Sequence, residues 1–266
     1  MSSLAILLVV PFEVPAASKP CHTCYKLVGD LQVFTPLILL HGGPGSGHDY
    51  FAPLLDLAFN HNIPLILLGI RSGFHLLEQS WGGMMAGVYA ARQPEGLKKV
   101  ILSSTPASMP LFAASTKKLL EQLPQDVQNV LEECEREGDH ESEKWENSSM
   151  EFYTRFICRL DPWPQELLQG FQNLKDDSTV YNTMQGTSEF ECTGSLKEWQ
   201  GVSEAHKIQA EILLLNGRYN EMTDDVVKPW FEKIEKVKWI TLEKSAHMGH
   251  WEERDRYVQV VADFLS

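Results

Sequence analysis

Three short segments carry side chains suited to acyl transfer. In Leu76-Leu77-Glu78-Gln79-Ser80-Trp81-Gly82-Gly83, a serine stands between an apolar run and a glycine-rich helix start. A serine on such a strand-to-helix turn is held with its hydroxyl above the sheet. The helix N-terminus beneath it favours developing negative charge. His41-Gly42-Gly43-Pro44-Gly45 follows a second apolar run; its glycines let backbone approach a ligand and offer an N–H to an oxyanion. Ser245-Ala246-His247 follows a late strand and supplies a candidate general base. Each segment alone also fits an ordinary turn or a structural histidine. Together, serine first and histidine last, they have the chain order of an α/β-hydrolase triad.

The elements that must position these residues are legible as short apolar runs alternating with helical patterns, the mark of an α/β fold with a mainly parallel sheet. Candidate strands are Pro36–Leu40, Pro64–Leu68, Phe74–Leu77, Val100–Leu102, Ile212–Leu215 and Lys238–Leu242. The run Leu4–Val10, closed by Pro11, reads as a first strand: no Lys or Arg precedes it, as a secretory segment would require. Tyr257, Val260, Val261, Phe264 and Leu265 form one stripe of a last helix. Between about residues 107 and 206 the strand runs vanish. Pro124-Gln125-Asp126 opens a helix with Val127, Val130, Leu131 and Cys134 on one face. The acidic stretch Glu132–Glu146 reads as a solvated helix end or loop. Asp161-Pro162-Trp163-Pro164 then restarts a helix around Leu167, Leu168 and Phe171. This organisation predicts an α/β core over residues 1–106 and 207–266 and a helical cap over 107–206.

Composition narrows the function classes. The 266 residues are 43% apolar, enough for one large core. No apolar run is long enough to span a bilayer. A net charge of −13 argues against nucleic-acid or anionic-membrane partners, both of which need a positive face. Five cysteines are too sparse for a disulfide framework and point to a reducing, cytoplasmic setting. Cys21 and Cys24 have CxxC spacing but no second pair, so they read as unrelated thiols near an early strand. The sequon Asn147-Ser148-Ser149 would stay unused there.

The chain resembles the proline iminopeptidase family of α/β-hydrolases, serine aminopeptidases that release an N-terminal residue, often proline. The resemblance rests on His41–Gly45 with His48-Asp49-Tyr50, Gln79-Ser80-Trp81-Gly82-Gly83, Ser188-Glu189-Phe190, Asn216-Gly217-Arg218-Tyr219 and Ser245-Ala246-His247-Met248. It implies Ser80 as nucleophile, His247 as general base, and the N–H groups of Gly43 and Trp81 as oxyanion hole. It also implies Glu189 and Glu221 as carboxylates for the substrate's free amino group, consistent with charge-assisted hydrogen bonding. A small peptide or amino-acid amide would be the substrate, with no metal or organic cofactor.

Three departures from the family pattern bear on activity. Asn220 stands at the triad-acid position. An amide there is expected to favour the wrong imidazole tautomer and cannot neutralise an imidazolium; the equivalent change in serine proteases costs roughly four orders of magnitude. Glu221 is expected to point elsewhere, and Asp224 and Asp225 lie near a helix start. Glu78 occupies a crowded elbow position that normally takes glycine, so the elbow geometry is in question. Finally, only Gly69-Ile70-Arg71-Ser72-Gly73 joins two strands that a helix usually separates. Five extended residues reach about 17 Å, short of the ~20 Å return that a parallel connection needs. A crossover helix is therefore absent between residues 68 and 74, one strand must be shortened, displaced or turned into a hairpin, and one sheet face is left thinly covered. The leading function is a serine aminopeptidase with impaired activity. The alternatives are an esterase or amidase of a biosynthetic pathway, or an inactive hydrolase-fold binding protein.

Overall fold

Strands that read as unbroken apolar runs must be covered on both faces, and that requirement organises the chain. The computed structural model describes residues 5–12, 21–30, 35–40, 49–66 and 74–266. Eight strands form one sheet in the order β1-β2-β4-β3-β5-β6-β7-β8. They are β1 (Ala5–Phe12), β2 (Cys21–Val28), β3 (Leu37–Leu40), β4 (Leu65–Ile66), β5 (Phe74–Gln79), β6 (Leu97–Ser103), β7 (Glu211–Gly217) and β8 (Val237–Leu242). β3 through β8 run parallel, and β2 joins them antiparallel beside β1. β2 is not among the expected strands; Cys21 and Cys24 both lie within it.

Alternation along the strands divides the core. Leu76, Val100, Leu102, Ile212 and Leu214 face α2 (Trp81–Ala91) and α8 (Asp224–Lys233). Leu37, Leu39, Leu77, Ile101, Leu213 and Leu215 face α1 (Leu55–His61) and α10 (Arg254–Leu265). Each such side chain, once buried, contributes roughly 1.5–3 kcal/mol. The stripe expected in α10 is buried at Tyr257, Val260, Val261 and Phe264.

Between β6 and β7 lie α3 (Met109–Leu120), α4 (Gln125–Glu137), α5 (Glu143–Phe156), α6 (Gln165–Asp176) and α7 (Thr179–Met184). They enclose an aromatic-rich cluster of their own around Trp145, Phe152, Phe156 and Phe190. The acidic stretch is only partly a helix end and loop. Ser142 caps α5 through the Trp145 N–H, and Glu143 and Glu146 sit in that helix's first turn, where acidic side chains suit the macrodipole. A short helix, α9 (Gly249–Glu252), precedes α10.

β4 is described over Leu65–Ile66 and β5 begins at Phe74, so the expectation of an absent helix and of a strand shortened, displaced or turned into a hairpin falls on the segment between them. The connection 67–73, which carries Gly69–Gly73, lies outside the described residues, as does the loop 41–48 with Gly43. On the α2 face, Met85 and Tyr89 are exposed one turn apart.

Candidate active site

The serine turn forms despite Glu78. Ser80 has φ 59° and ψ −125°, a strained conformation that its surroundings must impose. The Ser80 N–H donates to the Ser103 carbonyl at 2.9 Å, and the Gly83 N–H closes onto the Ser80 carbonyl at 3.0 Å. The crowding falls on Gly83, where an added Cβ would lie 2.7 Å from Thr105 Cγ2. Glu78 is fully buried in β5, pairing with Leu40 and Leu102, so the expected disturbance of the elbow is not found. Trp81 opens α2, placing its N–H among those without an intrahelical partner.

Asn220 and His247 meet through the ends of β7 and β8. The Arg218 N–H donates to the Leu242 carbonyl at 2.8 Å and the Tyr219 N–H to the Ser245 carbonyl at 2.9 Å, stitching the two loops together. His247 Nδ1 lies 3.0 Å from Asn220 Oδ1. The orientation of that amide follows from its other partners. The Met222 N–H, which can only donate, reaches Asn220 Oδ1 at 2.9 Å. Asn220 Nδ2 donates to Ser104 Oγ at 2.7 Å, and Ser104 Oγ donates to the His247 carbonyl at 3.1 Å. Oδ1 therefore accepts from Nδ1–H and leaves Nε2 unprotonated. The expectation of a wrong tautomer is corrected: a fixed backbone donor removes the amide's freedom to turn. What Asn220 lacks is charge.

The second correction concerns Glu221. Rather than pointing away, its Oε1 lies 3.5 Å from His247 Nδ1, and its residue is 2% exposed. Oε2 is buried with no hydrogen-bond partner among the described residues. Asp224 and Asp225 stand in the first turn of α8, with Asp225 paired to Lys118 at the surface.

Ser80, His247, Glu221 and Glu189 line one cavity, together with Tyr50, Gln79, Tyr153 and Tyr181. Its volume is about 90 Å³. Glu189 arrives from the helical block. Tyr181 Oη donates to Glu189 Oε2. On either side, Ser188 Oγ donates to Glu135 Oε1 while accepting from the Phe190 N–H at 3.0 Å. His140 bridges Glu135 Oε2 at 3.0 Å and Thr187 Oγ1 at 2.9 Å.

Burial sets the protonation of this cavity. It pushes His247 down to about 3, with His250 adding to the effect, so the imidazole is neutral at physiological pH. Burial also raises Glu189, against the opposing hydrogen bond from Tyr181. Burial and then the neighbouring Glu189 hold Glu221 well above the usual carboxylate range. Two carboxyl groups sharing a dry cavity cannot both ionise cheaply without a cation between them. Among the described residues, no group of three or more His, Cys, Asp or Glu side chains could hold a metal ion, and no helix is long and apolar enough to cross a membrane.

Of the residues singled out from sequence, Ser80, Trp81, Asn220, His247, Glu189 and Glu221 converge here; Gly43 lies outside the described residues. Ser104 and Tyr181 were missed. Ser104 follows β6 in a polar Ser103-Ser104-Thr105 run, a weak hint that strand ends face a site. Tyr181 gave no local signal.

The alpha/beta hydrolase fold family matches residues 62–254. A proline iminopeptidase from Heyndrickxia coagulans is 32% identical, covering 87% of this chain and 91% of that protein. One from Saccharolobus solfataricus is 28% identical over 86% and 84% of the two chains. Among solved structures, VinJ superposes with a TM-score of 0.89 at 32% identity, over 96% of this chain and 98% of VinJ. The proline iminopeptidase of Mycobacterium smegmatis gives 0.82 at 27% identity, over 96% and 97%. A sheet with an elbow at β5, a histidine after β8 and this breadth of likeness together place the chain in the proline iminopeptidase family of α/β-hydrolases.

Proposed function

We propose that this protein is a serine aminopeptidase that releases an N-terminal residue, proline or a similarly small one, from a peptide or amino-acid amide in the cytoplasm. The substrate ammonium sits between Glu189 and Glu221, whose burial makes a cation the favourable occupant of the cavity. Ser80 Oγ attacks the scissile carbonyl as its proton passes to His247 Nε2. The N–H of Trp81, and that of Gly43, receive the oxyanion. The C–N bond breaks as Nε2 returns the proton to the departing amine. Water then attacks the acyl-enzyme with His247 again as base, freeing the amino acid and restoring Ser80. The helices between β6 and β7 act as a cap, closing the cavity around one residue.

The observation that carries this reading is the 3.0 Å contact from Asn220 to His247 Nδ1, which leaves Nε2 available in the cavity that Ser80 and Glu189 share. Hydrolysis of alanine and proline arylamides tests it. The unmodified chain is expected to turn them over, and Ser80→Ala to lose about 10⁴-fold or more in kcat. Full activity in Ser80→Ala would end the mechanism. A chain that neither cleaves arylamides nor reacts with a fluorophosphonate at Ser80 would instead be a binding protein on a hydrolase scaffold.

A further inference from the structure

A triad acid does two things: it orients the imidazole, and it balances the charge of the imidazolium. The geometry points to a division of these tasks between neighbours here, with Asn220 fixing the His247 tautomer and the Glu221 carboxylate supplying the charge. This deepens the aminopeptidase reading and rests on it.

The two contacts differ in the way the tasks do. Asn220 Oδ1, at 3.0 Å, is the hydrogen-bond acceptor of Nδ1–H. Glu221 Oε1, at 3.5 Å from the same nitrogen, is too far to compete for that hydrogen but close enough for a strong charge interaction in a dry site. The carboxylate is fixed from behind. The Glu221 N–H donates to the Phe156 carbonyl at 3.3 Å, and its own carbonyl accepts from Ser115 Oγ at 3.4 Å. One oxygen thus faces the imidazole, while the other is buried and without a hydrogen-bond partner among the described residues. The titratable groups around it are Glu189, Tyr153 and Tyr181 from the helical block and His247 from the loop after β8, with His250 of α9 acting on His247.

A consequence for specificity follows. Without a cation, burial and Glu189 favour the protonated form of Glu221. A substrate ammonium reverses that preference. The same event that recognises the amine therefore arms the base. A substrate lacking the amine binds less well and also reacts more slowly once bound, because the imidazolium has no counter-charge. An aspartate at position 220 would supply that charge regardless of the substrate.

A double-mutant cycle with alanine arylamide tests the division, using the unmodified chain, Glu221→Gln, Asn220→Asp and the double variant. With Asn220 in place, Glu221→Gln is expected to lower kcat about 100-fold or more and to raise KM. In the Asn220→Asp background, the KM rise persists while the kcat loss shrinks to about tenfold or less. An equal kcat loss in both backgrounds, or none with Asn220, overturns the proposal. Glu221→Asp, which keeps the charge but retracts it, is expected to lose less kcat than Glu221→Gln; an equal loss also overturns it. If none of the proteins cleaves an arylamide, the aminopeptidase reading falls, and fluorophosphonate labelling of Ser80 then decides the charge role alone. The labelling rate should rise with pH as Glu221 ionises and lose that rise in Glu221→Gln. A profile indifferent to Glu221, or no labelling at all, counts against the proposal.

Discussion

The cavity is built from two regions that position side chains by different means. At the carboxyl edge of the sheet, residues are placed by backbone. The loops after β7 and β8 are tied to one another through Tyr219 and Ser245, and β7 holds Ser104, whose N–H donates to the Leu215 carbonyl at 2.9 Å. In the helical block, Glu189 is placed largely by side chains. Gln185 Nε2 donates to the Ser188 and Glu189 carbonyls at 3.3 Å each, and Ser188 leans on Glu135, which His140 contacts in turn. Backbone ladders tolerate little displacement, since sheet register fixes where each strand ends. Side-chain networks can be loosened one member at a time. The edge therefore suits bond-making, which needs fixed geometry, and the block suits recognition, which tolerates adjustment.

The contrast is most exposed at Gly217. A Cβ there would press on the Ser245 and Ala246 carbonyls and lie 2.6 Å from the Ser245 carbonyl carbon. All are backbone atoms of the loop that carries His247, so they cannot yield without moving it. Gly217→Ala is expected to cut kcat by about 100-fold, as misplacement of a base by an ångström does. Steady-state kinetics with an arylamide would show it; unchanged kcat would mean the edge is softer than its hydrogen bonds suggest. In the block the corresponding change is milder. Glu135→Gln removes the charge that Ser188 and His140 share, and is expected to raise KM about three- to tenfold while leaving kcat within about twofold. A fall in kcat alone would show that this network reaches the reacting atoms.

The smallest expected effect is thermodynamic and tests the shared cavity. Glu221 has a folded-state pKa above its usual value near 4.5, so the fold binds more protons than the unfolded chain in the interval between them. Its contribution to stability is complete at low pH and is lost as pH rises through the folded value. Glu221→Gln removes that loss. Its melting temperature relative to the unmodified chain should therefore improve from pH 5 to pH 8, by roughly 3 °C per unit of displaced pKa. A difference independent of pH would place the carboxyl in contact with water. His247 titrates in the opposite sense: held down near 3, it costs stability as pH falls below about 6.5, a loss both proteins share and the comparison cancels.

By itself, the sequence determined the alternation of strands and helices and which polar side chains stand at the sheet's edge. The serine turn between β5 and α2, the apolar stripe of α10 and the Ser245-Ala246-His247 loop all follow from short-range patterns, because period and turn chemistry are local. Only the tertiary structure decided how Asn220 is turned, since that depends on the Met222 N–H on one side and Ser104 on the other. It likewise decided that Glu221 faces His247 and that Tyr181 reaches Glu189. Hydrogen-bond direction and burial depend on what distant segments bring to the same place, and no window along the chain contains both partners.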